Sequence, residues 1–199
     1  MSATHQVVAG AGTLAAVAVA VGALVTLHVL PTGLSPVRDA VSHYGITRYR
    51  LGYRVLTISM GVAGLAAAAG LAVVVHGGAA LVDLFLVAFA LARLAISWYP
   101  MDEPGLAPTE HGRRHGLLAL LTFTSVMVAG LRLPRALQLE GVWASQLAPL
   151  RVFGWLLLVA AVGMIVTRRL GGGGLFGLAE RAFYLATFCW LGLVGMALV

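Results

Sequence analysis

The sequence predicts an all-α integral membrane protein, a bundle of six transmembrane helices joined by short loops. Three observations predict it. Of 199 residues, 60% are hydrophobic and only 10% are charged, where a soluble domain carries about 25% charged residues; mean hydropathy is +0.96. The apolar residues form continuous runs and do not alternate as they would in a membrane barrel. Gly and Ala are dense within those runs, and small residues let helix backbones approach closely in lipid. A spanning helix takes about 20 apolar residues. Six such helices leave one membrane domain over residues 1–199 and no room for a separate soluble domain.

Span one is expected over residues 7–30. It is too long for a signal-peptide core and has no basic segment before it, so it reads as a retained helix ended by Pro31 and Gly33. Span two is expected over 51–75, closed by a turn at His76, Gly77 and Gly78. Span three covers 80–99 and stops at Pro100; Asp83 sits in its first turn, where the helix dipole favours an acid. Span four covers 109–131, with Thr109 as N-cap. Span five covers 151–167. The Gly171–Gly174 run lacks the Lys and Ser/Thr of a phosphate-binding loop and reads as a connector before span six, 178–199.

All 13 basic residues are Arg, and Lys and Asn are absent. That bias is the mark of a GC-rich, bacterial genome. The basic balance does not point to nucleic acid here, because the arginines lie between spans, where they set topology and meet lipid headgroups. Loops one, three and five and their flanks hold Arg38, Arg48, Arg50, Arg54, Arg113, Arg114, Arg168, Arg169 and Arg181; the side of the termini holds Arg132, Arg135 and Arg151. The positive-inside rule then puts the odd-numbered loops in the cytoplasm of a bacterial plasma-membrane protein, with both termini outside. Cys189 is alone in an apolar segment, so no intrachain disulfide or zinc ribbon is available.

The polar residues gather on the odd-loop side. Asp39, Asp102, Glu103, Glu110 and Glu180 fall there, with His28, His43, His111 and His115. His111 and His115 are spaced i, i+4 and share a helix face; with Asp102 they form a candidate zinc or iron set. Haem would need two facing histidines, and His28 and His115 are the pair at similar depth. Loop one contains Asp39, Ser42, His43 and Gly45; Asp39 and Ser42 read as caps of a short interfacial helix ended by Gly45 at positive φ, in preference to a catalytic triad. Arg93 either snorkels to the odd-loop side or pairs with Asp102 or Glu103. Trp98, Tyr99, Tyr44, Tyr49 and Tyr53 read as an aromatic belt, and Phe183, Tyr184, Phe188 and Trp190 as packing.

These residues follow a recognisable order: Asp39-x-x-Ser42-x-x-Gly45 after the first span, Tyr99-Pro100-x-Asp102 after the third, Gly112-x-x-His115 opening the fourth, and Arg181 opening the sixth. The pattern resembles the bacterial and archaeal membrane family known as domain of unknown function 998. Tyr99 stands where that family typically has Phe. The resemblance implies six spans and one polar pocket, with Asp39, Ser42, Asp102, His115 and Arg181 as ligand-binding residues, joined by Arg93 from the reading above. A more distant similarity to the Frag–DRAM–Sfk group of six-span proteins implies lipid handling. The expected function is binding or sensing a lipid headgroup, or a small amphipathic ligand, in that pocket. Two alternatives stand beside it: an accessory subunit, as a homo-oligomer or in a larger membrane complex, and a metal-assisted intramembrane hydrolase. Catalytic residues are not assigned.

Overall fold

The computed structural model describes residues 3–75, 79–103, 105–169 and 174–199. Six long helices account for nearly all of them: α1 (Ala3–Val29), α2 (Arg50–Val74), α3 (Ala80–Ile96), α4 (Glu110–Glu140), α5 (Leu147–Arg169) and α6 (Phe176–Leu198). Two short 3-10 turns, Val41–Ile46 and Ala144–Gln146, lie between them. Each helix packs on the next in the chain, and α6 returns to α1, so the bundle closes into a ring; α2 also reaches α6. Leu56, Met60, Leu71, Leu86, Phe89, Leu133 and Trp190 fill its centre. The outer surface is apolar as well, with Val8, Leu51, Leu84, Leu117, Trp155 and Leu185 exposed. A bundle apolar on both its faces is a membrane protein.

Five of the helices are long and apolar enough to cross a bilayer, namely all but α3. The sequence reading expected six. α3 has 17 residues and rises about 26 Å, short of a hydrocarbon core of about 30 Å. It stops at Ile96, three residues earlier than expected. Trp98 and Tyr99 donate to Ala95 and Ile96 in tightened i→i−3 bonds, because the residue before Pro100 is turned away from helical conformation.

Helix α4 corrects the expectation in the other direction. It continues past residue 131 to Glu140 with Pro134 inside it. Leu133, Ala136 and Leu137 bury one face there while Arg132 and Arg135 point outward, so tertiary packing carries the helix through Arg and Pro. Gly141, at φ 67°, ends it, with Val142 donating back to Leu137. Helix α5 likewise starts at Leu147, before the expected residue 151. The predicted His76–Gly78 turn and the Gly171–Gly173 part of the glycine connector lie outside the described residues.

Two glycine pairs set helix approach. A Cβ on Gly10 of α1 would lie 2.8 Å from the Gly195 carbonyl of α6. A Cβ on Gly154 of α5 would lie 2.5 Å from the Gly130 carbonyl of α4. Gly130 is four residues before Pro134, which has no N–H to bond that carbonyl. The α4–α5 crossing therefore sits where the backbone of α4 has a free oxygen.

Candidate functional site

Loop one folds back onto the first turn of α6. Glu180 is buried and its Oε2 accepts the Val41 N–H at 2.6 Å, capping the Val41–Ile46 turn from a distant helix. Arg181 donates from Nε to His28 Nε2 at 2.7 Å, from Nη1 to the Asp39 carbonyl at 2.7 Å and the Gly177 carbonyl at 3.0 Å, and from Nη2 to the Tyr44 hydroxyl at 3.3 Å. His28 donates from Nδ1 to the Leu24 carbonyl at 2.6 Å, which fixes its tautomer. The Leu178 N–H reaches the Val37 carbonyl at 2.9 Å. Arg181 and His28 thus act as struts that hold loop one on the bundle.

The capping role expected for Asp39, Ser42 and Gly45 is corrected. The Val41–Ile46 turn has no side-chain cap from its own loop. Asp39 instead accepts the Ser35 N–H at 2.7 Å, with His43 Nδ1 at 3.8 Å. Gly45 is not at positive φ; it is small because a Cβ there would lie 2.9 Å from the Tyr53 ring. Tyr44 and Tyr53 are buried, so they leave the aromatic belt, while Trp98 is exposed and stays in it. Burial lowers the His43 pKa from 6.5; Asp39 opposes that shift and Arg181 adds to it.

Loop three closes on itself. Asp102 accepts the Thr109 N–H at 3.1 Å and the Thr109 hydroxyl at 2.5 Å, and Thr109 Oγ accepts the Gly112 N–H at 3.1 Å. Those two Thr109 bonds hold the Asp102 carboxyl below its usual range. The carboxylate occupies the space a Cβ on Gly112 would need, which explains the Gly in that motif. His115 is buried and donates from Nδ1 to the Tyr99 carbonyl at 2.7 Å. Glu110 pairs with Arg114 at 2.6 Å and Arg113 at 3.5 Å on the exposed face.

Between α3, α4, α5, α6 and loop one lies a cleft of about 680 Å³. Arg38, Ser42, His43, Asp102, His115 and Arg168 line its mouth. Arg93, Glu180, Tyr53 and Tyr184 form its floor, and Leu120, Phe123, Met127, Leu158, Val162 and Ile165 its walls. Leu120, Val162 and Ile165 are also exposed on the outer surface, so the cleft opens sideways between α4 and α5. Lining residues begin at Met127 and Leu158, about one turn beyond the Gly130–Gly154 crossing. From that crossing the two helices part toward the odd-loop end.

Arg93 neither snorkels nor pairs with Asp102 or Glu103. It is 2% exposed. Its Nη1 donates to the Tyr184 hydroxyl at 2.9 Å, its guanidinium lies 4.7 Å from the Tyr184 ring centre, and its Nε has no hydrogen-bond partner among the described residues. The structure thus brings Ser42, Asp102, His115 and Arg93 to the cleft and leaves Asp39 and Arg181 outside its lining. Among the described residues no three His, Cys, Asp or Glu side chains converge as metal ligands. Of the expected set, His111 stands exposed beside Tyr99, Asp102 caps α4 and His115 braces loop three. His28, the expected haem partner of His115, is engaged by Arg181 and does not line the cleft. Sequence reasoning placed Glu180, and the cleft-lining Arg38 and Arg168, on the odd-loop side without a ligand role, and read Tyr184 as packing. A carboxylate next to an arginine inside an apolar segment was the available signal for the first.

Residues 14–197 match a protein family described as protein of unknown function (DUF998). No curated protein and no solved structure matches the chain.

Proposed function

We propose that this chain, which belongs to the DUF998 family of membrane proteins, binds a lipid with an anionic headgroup in the cleft. The observation that carries the reading is the cleft's division: a cationic, hydroxyl-bearing mouth continuous with an apolar seam open to the bilayer. Arg38 and Arg168 flank the mouth, and Arg93 lies beneath it with no carboxylate within 4 Å among the described residues. Arginine suits phosphate through paired N–H bonds. The acyl chain would lie along Leu120, Phe123, Leu158 and Val162, the side on which α4 and α5 part. In this reading α3 is a sixth crossing, with the Ser97–Tyr99 turn lengthening its apolar segment, and the arginine-rich odd loops face the cytoplasm.

Native mass spectrometry of the protein released from nanodiscs tests the proposal. Phosphatidylglycerol should be retained over phosphatidylcholine, and retention should fall about tenfold in Arg168→Gln and in the seam-blocking Val162→Trp. Equal retention of the two lipids, or indifference to both substitutions, overturns it.

A further inference from the structure

A second cavity adjoins the cleft at Ser42 and His115, and the lipid reading does not use the Arg50 and Arg54 that line it. It measures about 90 Å³, room for roughly three waters or one tetrahedral oxyanion. Ser42, Arg50, Arg54, Ser97, Trp98 and His115 are among its lining residues, and no Asp or Glu is. Arg50 and Arg54 are one turn apart on α2 and share a face. Neither has a carboxylate within 4 Å among the described residues. The Arg54 guanidinium lies 5.9 Å from the centre of the Trp98 ring, which steadies it at the pocket. Helix α2 begins here with no side-chain cap and no acid in its first turn to offset its partial positive charge. Ser97 Oγ is buried with no hydrogen-bond partner among the described residues, a donor left waiting for an acceptor.

From this convergence we infer that the pocket is an oxyanion site for a phosphate-sized group, held by Arg50 and Arg54 with the hydroxyls of Ser42 and Ser97. Its chemistry is that of free phosphate or of a phosphomonoester headgroup. It is separate from the lipid cleft, although Ser42, Tyr53, Ile96, Met101 and His115 line both. Loop one and the start of α4 are the wall between them.

Equilibrium dialysis of the purified full chain against radiolabelled inorganic phosphate, and against glycerol 3-phosphate, tests the site. A parallel arm measures retention of phosphatidic acid in nanodiscs. Saturable binding of at least one probe is expected. It should weaken about tenfold in Arg54→Gln and in Arg50→Gln, and measurably in the milder Ser97→Ala, with the thermal midpoint showing that each variant is folded. Arg168→Gln, which alters the lipid cleft, should leave binding of the free anions unchanged. Binding of the free anions assigns the site to soluble phosphate; retention of phosphatidic acid alone, weakened by Arg50→Gln and Arg54→Gln, assigns it to a headgroup. No saturable binding of any probe, or binding indifferent to Arg50→Gln and Arg54→Gln, overturns the site. Loss of free-anion binding in Arg168→Gln overturns its separateness without touching the lipid proposal.

Discussion

At the scale of single residues, Glu180 does the most that sequence spacing conceals. It closes the amide of a residue 139 positions earlier. Glu180→Ala removes the acceptor and leaves the buried Val41 N–H unsatisfied, which should cost about 1–3 kcal/mol of stability. Denaturant titration of the detergent-solubilised protein measures it, and faster proteolysis within loop one should accompany it. His43 gives a pH prediction. Its folded pKa is depressed below 6.5, so the unfolded chain binds the proton more readily. The stability it contributes is present above pH 6.5 and is lost as pH falls through the folded value. The thermal midpoint of the wild type should therefore fall on acidification below pH 6.5, and His43→Gln should flatten that slope. Asp102 and His115 were visible as motif residues, but their roles were not. A Tyr-Pro-x-Asp and a Gly-x-x-His can be read as ligands or as a loop closure with equal ease. Only the bonds to Thr109 and Tyr99 decide.

At the scale of elements, hydropathy located every helix, because twenty-odd apolar residues have few alternatives to a helix in lipid. Ends were harder. Pro100 truncated α3 through its effect on the preceding residue, while Pro134 did not end α4, because Leu133 and Leu137 are fully buried on either side of it. A proline's local effect is readable from sequence, but the packing that overrides it is not. The α4–α5 crossing carries a prediction. Gly154→Val should destabilise the bundle by about 1–3 kcal/mol through overpacking against the Gly130 carbonyl. Gly192→Val, where a Cβ meets nothing within 4 Å, should change stability little. An SDS-unfolding titration comparing the two separates a crossing from mere loss of glycine.

At the scale of the molecule, the uneven arginine count predicts which end faces inward. Cys189 is the one cysteine in the chain, so Cys189→Ala gives a clean background for labelling. A cysteine at Gly105, in loop three, should be shielded from a membrane-impermeant maleimide in intact cells, and one at Gly141, after α4, should react. The reverse pattern would turn the topology over. Composition made the membrane class legible and clustered the polar residues at one end. It did not reveal the cleft, which depends on two helices diverging from a glycine contact. Nor could it separate Arg93, buried in the cleft floor, from Arg181, spent on holding a loop. The closure of the ring by α6 also has a consequence in time. Loop one leaves the ribosome well before the Glu180 and Arg181 that hold it, whose partners Val41 and Asp39 precede them by 139 and 142 residues. Until Glu180 and Arg181 are made the mouth of the cleft is unlatched, and a chain truncated before residue 180 keeps α1 to α5 in that state. Such a fragment should be membrane-integrated yet a target for quality-control proteases, so assembly of the site doubles as a check that α6 has been made.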